Sequence, residues 1–169
     1  ILQKPGAEHA LMAKKSGSTE PLITYIAAYE SYEALEAWTK ANPAISGPAL
    51  NSLAYADSQG SGPRNITPPN GTNKTLAEER LKQYISLTDS PNADDSYAEF
   101  LALNGDHEGA FESQMKAFQK VNFISPYRRN LVLYWRKNNE AATKEAVTKR
   151  VQDFYNNTDR LDGKVDDVL

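Results

Sequence analysis

No stretch of this 169-residue chain alternates apolar and polar side chains with period two for long enough to make a strand. Apolar residues recur instead at three- and four-residue steps, punctuated by proline and glycine, and that pattern demands an all-α fold. Leu22, Ile26, Tyr29, Leu35 and Trp38 carry the period between Glu20 and Asn42, with Glu30, Glu33, Glu36 and Lys40 between them. Ser18 or Thr19 reads as the cap of this helix and Pro21 suits its first turn. Asn42–Pro43 ends it, because a residue before proline is pushed out of the α region. A shorter helix is predicted over Pro48–Asp57. Another starts at Thr75, where Glu78 three residues on gives a capping-box pattern ahead of Leu81, Tyr84, Ile85 and Leu87. Further helices are predicted at Tyr97–Leu103, Ala110–Val121, Arg129–Lys137 and Ala141–Tyr155, and a short one at Ala7–Lys15.

Between Ser58 and Lys74 the helical pattern stops. Gly60, Gly62, Pro63, Pro68, Pro69 and Gly71 make this a long loop or linker, and loops of that length are either functional or disordered. The expected organisation is an N-terminal helical segment (1–57), this loop or linker (58–74), a helical-hairpin unit (75–158) and a tail (159–169). Asn65, Asn70 and Asn73 in the loop, and Asn156, stand in Asn-x-Thr sequons, which a stretch so rich in Asn and Thr produces by composition.

Composition removes several function classes. With no cysteine there is no disulfide, thiolate metal site or cysteine nucleophile. His9 and His107 are the chain's two histidines and share no metal-binding spacing, so neither a metal nor a cofactor is expected. Gly71–Thr75 lacks the glycine spacing and Gly-Lys pair of a phosphate loop, and the acidic tail lacks the spacing of a calcium loop. No apolar run is long enough to span a membrane. A net charge of −3 argues against nucleic acid as a partner. The chain opens on Ile1, which reads as a processed product or an excised fragment.

The stretch from Tyr97 to Phe118 resembles a tetratricopeptide repeat, a 34-residue helix–turn–helix unit. Ala98, Leu101, Gly105, Ala110 and Ala117 fall on the family's small, large, turn-glycine and paired small positions. Asp106 and Glu108 match the Gly-Asp-x-Glu-x-Ala turn, and Pro126 lies near the repeat-closing proline. The resemblance covers about residues 94–126, with degenerate flanks. Two positions depart from the pattern: Gln114 and Asp94 stand where the family carries aromatics. The implied architecture is antiparallel helical hairpins in the C-terminal half. The implied function is a non-catalytic scaffold that binds protein partners, as the soluble part of a larger protein or assembly of the bacterial cell-envelope kind. An extracytoplasmic setting follows by that analogy alone.

Charge is segregated under the mild total. Residues 89–112 hold seven acidic side chains and no lysine or arginine, and residues 126–151 hold seven lysines and arginines against two acidic residues. One consequence would be complementary faces on neighbouring helices. The other would be an anion- or glycan-binding surface built from Arg128, Arg129, Tyr134, Trp135 and Arg136, or from the tyrosine stripe Tyr25, Tyr29 and Tyr32. Such a stripe is more often core or inter-helix packing than a ligand platform. A hydrolase or lyase built on a carboxylate would rest on Glu99, which sits between Ala98 and Phe100.

Overall fold

The computed structural model describes residues 14–15, 17–121 and 125–138, together with 145, 146 and 149. Among these residues every regular element is helical: seven α-helices, two short 3-10 turns and no strand. The helices are α1 (Glu20–Ala28), α2 (Tyr32–Ala41), α3 (Gly47–Gln59), α4 (Lys74–Leu87), α5 (Pro91–Leu103), α6 (His107–Lys120) and α7 (Ser125–Asn138). The helices expected at Ala141–Tyr155 and over most of Ala7–Lys15 lie outside the described residues.

The long helix expected from Glu20 to Asn42 is two helices. Ser31 takes an extended conformation (φ −152°, ψ 163°) and its hydroxyl accepts the Ala34 N–H at 3.0 Å, starting α2 afresh. Such a cap contributes about 1 kcal/mol. The apolar spacing gave no warning, because Tyr29 and Leu35, on either side of the break, pack into the same cluster. At α4 the cap is Asn73, whose side-chain oxygen accepts the Leu76 N–H at 3.0 Å, so Thr75 lies inside the helix and is not its cap. Helices α5 and α6 both begin earlier than expected: α5 opens on Pro91, and Asp106 caps α6 by accepting the Gly109 N–H at 2.9 Å.

The chain divides into two compact units, Ile1–Ala93 and Asp94–Leu169, with the division inside α5. In the first unit α3 packs against α2 and α4, and α1 packs on α2. Its main core joins Tyr25, Tyr32, Leu35, Trp38, Leu53 and Ile66, and a smaller cluster holds Leu50, Tyr84 and Ala93. The 58–74 stretch, expected as a possible division of the chain, is a loop of this unit fixed at both ends. The Gly62 N–H donates to the Ile66 carbonyl (2.8 Å), the Asn73 N–H donates to the Asp57 carbonyl (2.7 Å), and Ile66 is buried. Gly62 is required there, since a Cβ would stand 2.7 Å from the Ser52 carbonyl oxygen.

In the second unit α6 packs against α7. The core contains Ala98, Ala110, Phe111, Met115, Phe118, Leu131 and Tyr134, with Leu101 and Trp135 packed against it. Gly105 takes a left-handed φ of +87° between α5 and α6, a conformation costly for any residue with a side chain. Helix α5 is tied to α6 by polar contacts: the Ser113 hydroxyl donates to the Asp94 carbonyl (2.9 Å), and Lys120 Nζ reaches the buried Asp94 carboxylate at 2.6 Å.

Candidate functional site

Two neighbourhoods of the first unit combine polar chemistry with partial access. The first is an ionic chain across α2, α3 and α4. The Tyr32 hydroxyl donates to Asp57 Oδ1 at 2.6 Å, Arg80 Nε stands 3.2 Å from Asp57 Oδ2, and Arg80 Nη2 donates to Glu36 Oε1 at 2.6 Å. Lys40 then reaches the other oxygen of Glu36 at 3.0 Å, one helical turn away. The Arg80 guanidinium carbon also lies 5.3 Å from the centre of the Tyr32 ring, so the cation contacts both carboxylates and the ring. The Arg80 side chain is 7% exposed and that of Asp57 1%. The contact between Nε and Oδ2 lacks hydrogen-bond alignment, and Oδ2 and Nη1 are left without hydrogen-bond partners.

Burial sets the protonation behaviour here. It pushes the Asp57 carboxyl above its ordinary range, outweighing the Tyr32 hydrogen bond and the Arg80 charge. Glu36 is held below its usual value, chiefly by its hydrogen bond from Lys40 and also by Arg80. Tyr32 is raised, first by burial and then by donating to Asp57. A half-open groove of about 260 Å³ adjoins this chain, floored by Leu50, Leu53 and Leu76 and rimmed by Lys40, Glu79 and Gln83. Glu36 and Arg80 line it, whereas Asp57 is sealed beneath. The network therefore acts as a lock on three helices, with its one raised carboxyl out of a ligand's reach.

The second neighbourhood is the C-terminal end of α1. Tyr25 and Tyr32, expected as ligand-stacking groups, are buried in the core, and their burial corrects that expectation: neither ring is open to a ligand. Tyr25 packs edge-on to Tyr29 and tilted against Trp38, both at 5.0 Å between ring centres. The hydroxyls of Tyr25 and Tyr29 share a hydrogen bond of 2.7 Å, and that of Tyr29 bonds Ser52. Tyr29 itself is half-buried, and the Arg64 guanidinium lies 5.1 Å from its ring centre. Arg64 and Asn65 occupy consecutive left-handed conformations (φ 59° and 62°), held by the Gly62–Ile66 bond. Such backbone strain in non-glycine residues costs on the order of 1–3 kcal/mol each. Arg64 is exposed and pairs with no carboxylate among the described residues. Two turns of α1 away from this end, Ile23 is 58% exposed, and Ile26 between them is 41% exposed.

In the second unit, Arg129 is exposed, Tyr134 is buried and Trp135 is half-buried against Phe111 at 5.0 Å between rings. Tyr134 and Trp135 thus pack into the core where the basic-face expectation needed them exposed. The side chains of Arg128 and Arg136 lie outside the described residues. Ala98, Ala110 and Ala117 are fully buried and Leu101 half-buried. Gln114 is fully buried and its amide donates to the Tyr127 carbonyl at 3.3 Å. Burial raises the Asp95 carboxyl despite hydrogen bonds from Gln114 and Asn130. Glu99 is half-buried in α5.

Asp57, Arg80 and Arg64 were not legible as site residues in the sequence. Asp57 and Arg80 are 23 positions apart across the loop, and Arg64 stands in a stretch marked only by its glycines and prolines. Among the described residues no His, Asp or Glu cluster could hold a metal ion, and no helix is long and apolar enough to cross a membrane. Compared with protein-family models, curated proteins and solved structures, the chain shows no match in any of the three.

Proposed function

We propose that this chain is a non-catalytic interaction or scaffold domain that docks protein partners. The observation that carries the reading is α1, which is apolar on two faces. One face supplies Tyr25 and Ala28 to the core, and the other shows Ile23, Ile26 and Ala27 to solvent. A surface helix ordinarily carries polar residues opposite its core face, and a helix apolar all round is normally buried. The exposed isoleucine pair on such a helix supports a surface that a partner covers.

The tetratricopeptide-like reading of the second unit is part of the same proposal. It draws support from the left-handed Gly105, the Asp106 cap and the burial of the small residues Ala98, Ala110 and Ala117. The contact of Asp94, near the start of α5, with Lys120, at the end of α6, supports an antiparallel pair. Hairpins of that kind stack into surfaces that hold peptides.

The test is a quantitative capture from the source cells with the wild-type chain and with an Ile23→Asp, Ile26→Asp variant. A stoichiometric partner retained by the wild type and lost by the variant, with helical circular dichroism unchanged, is the expected result. Equal recovery by both chains would remove α1 as the docking face.

A further inference from the structure

An asparagine followed by glycine is prone to lose its side-chain ammonia in water, because glycine has no side chain to shield its main-chain nitrogen from the preceding amide. The chain has two such steps, Asn70–Gly71 in the loop of the first unit and Asn104–Gly105 at the end of α5. Both asparagines are exposed, so exposure does not choose between them. Their hydrogen bonds do. Asn104 Nδ2 donates to the Phe100 carbonyl at 2.8 Å, which holds the amide back along its own helix. The Gly105 N–H donates to the Ala102 carbonyl at 3.1 Å and the Asp106 N–H to the Leu101 carbonyl at 3.0 Å, the paired closure of a Schellman motif. Asn70 lacks all of this. Its side chain takes no hydrogen bond among the described residues. The Gly71 N–H donates to the Pro68 carbonyl at 3.3 Å, longer than the usual value of about 2.9 Å. No other bond between main-chain groups falls within residues 67–72. Gly71 stands at φ +75°, with no atom within 4 Å of where a Cβ would be, so the turn has open space around it.

From this contrast we infer that Asn70 is a site of self-modification, converting to aspartate and isoaspartate in the folded chain, and that the fold protects Asn104. The Gly71 nitrogen attacks Asn70 Cγ, forming a C–N bond that closes a succinimide ring. The side-chain nitrogen leaves as ammonia, which takes up the proton given up by the Gly71 N–H. Water then opens the ring. Breaking the bond from nitrogen to Cγ gives aspartate, and breaking the bond from nitrogen to the main-chain carbonyl carbon gives isoaspartate. Water is the one co-reactant, and the attack quickens as pH rises because the nitrogen must shed its proton. Each product adds a negative charge to the loop, and isoaspartate adds an atom to the main chain. That extra atom lies just ahead of Asn73, whose N–H anchors the loop on the Asp57 carbonyl and whose side chain caps α4.

The experiment incubates the full chain in mildly alkaline buffer, with and without urea, and follows both sites by peptide mapping with fragmentation that separates the two linkages. In buffer, Asn70 should convert at least about tenfold faster than Asn104, whose added hydrogen bonds must open first. In urea the two rates should come within about twofold of each other, since both are the same dipeptide and the fold is gone. Asn70→Gln should abolish the early acidic band on isoelectric focusing while leaving the helical circular dichroism in place. Equal rates at the two sites in buffer, or Asn104 converting first, would overturn the inference. So would an Asn70 that converts in urea but stays intact in buffer, because the loop would then hold it as firmly as α5 holds Asn104.

Discussion

Replacing Arg80 by methionine keeps a long apolar stem and removes the one cation facing Asp57 among the described residues. Breaking a buried ion pair by deleting one partner ordinarily costs about 3–5 kcal/mol. Here the cost has a ceiling that depends on pH. The folded chain can protonate Asp57 instead of holding it charged, and protonating a carboxyl of ordinary pKa near 3.9 costs about 1.4 kcal/mol for each pH unit above that value. The Asp57 penalty therefore cannot exceed about 4 kcal/mol at pH 7 or about 1.5 kcal/mol at pH 5. A carboxyl raised by folding binds its proton more tightly in the folded state, so the stability it contributes is complete at low pH. That stability is lost as pH rises through the folded pKa. Asp57 is already raised in the native chain, and the variant extends the window upward. Glu36 retains Lys40, and its own contribution changes little between these two pH values, both being above its ordinary range.

Urea unfolding followed through Trp38 in a Trp135→Phe background isolates the first unit, because the chain has two tryptophans and Trp38 is buried there. With a slope of about 1–2 kcal/mol per molar urea, the Arg80→Met midpoint should fall by roughly 2–4 M at pH 7 and by less than half of that at pH 5. Adding Asp57→Asn to Arg80→Met should remove most of the pH dependence. A cost below about 1 kcal/mol at both pH values would refute the reasoning, as would the same cost at both. In the first case the ion pair contributes nothing net, and in the second Asp57 is not the group that suffers.

Three further outcomes follow. Gly105→Ala meets no neighbouring atom, so its cost is that of the left-handed backbone alone. Unfolding of the second unit, followed through Trp135 in a Trp38→Phe background, should show a loss of about 1 kcal/mol. Tyr134 is pushed up to about 12, by burial first and then by the charges of Asp95 and Glu99. Ultraviolet titration should find it ionising late, with the second unit losing stability as pH rises from the ordinary tyrosine value toward 12. Ile23→Asp with Ile26→Asp should abolish partner capture without changing helix content.

Much of the helical pattern was legible because apolar spacing along a helix is a local property. Even so, Ser31 escaped it: a capping serine changes the chain direction without disturbing which residues face the core, so Tyr29 and Leu35 kept their rhythm across the break. The tyrosine stripe was legible as a stripe, since Tyr25 and Tyr29 are one turn apart. Its orientation was not, because α1 is apolar on both sides and no polar face marks the exterior. In the loop, glycine and proline announced irregular backbone but could not announce that Ile66 is buried or that Arg64 lies over Tyr29.

The sequence by itself determined an all-helical chain, the positions of most helices, the glycine turn at Gly105 and the absence of thiol chemistry, all consequences of composition or of spacing within a few residues. The tertiary structure decided the rest. It joined Tyr32, Asp57, Arg80 and Glu36 into one network, turned Tyr25 and Tyr32 inward, and set Arg64 over the Tyr29 ring. Those arrangements depend on which helices meet. Helix period specifies a face but not its partner, so side chains far apart in sequence acquire charge states and neighbours only when packing brings their helices together.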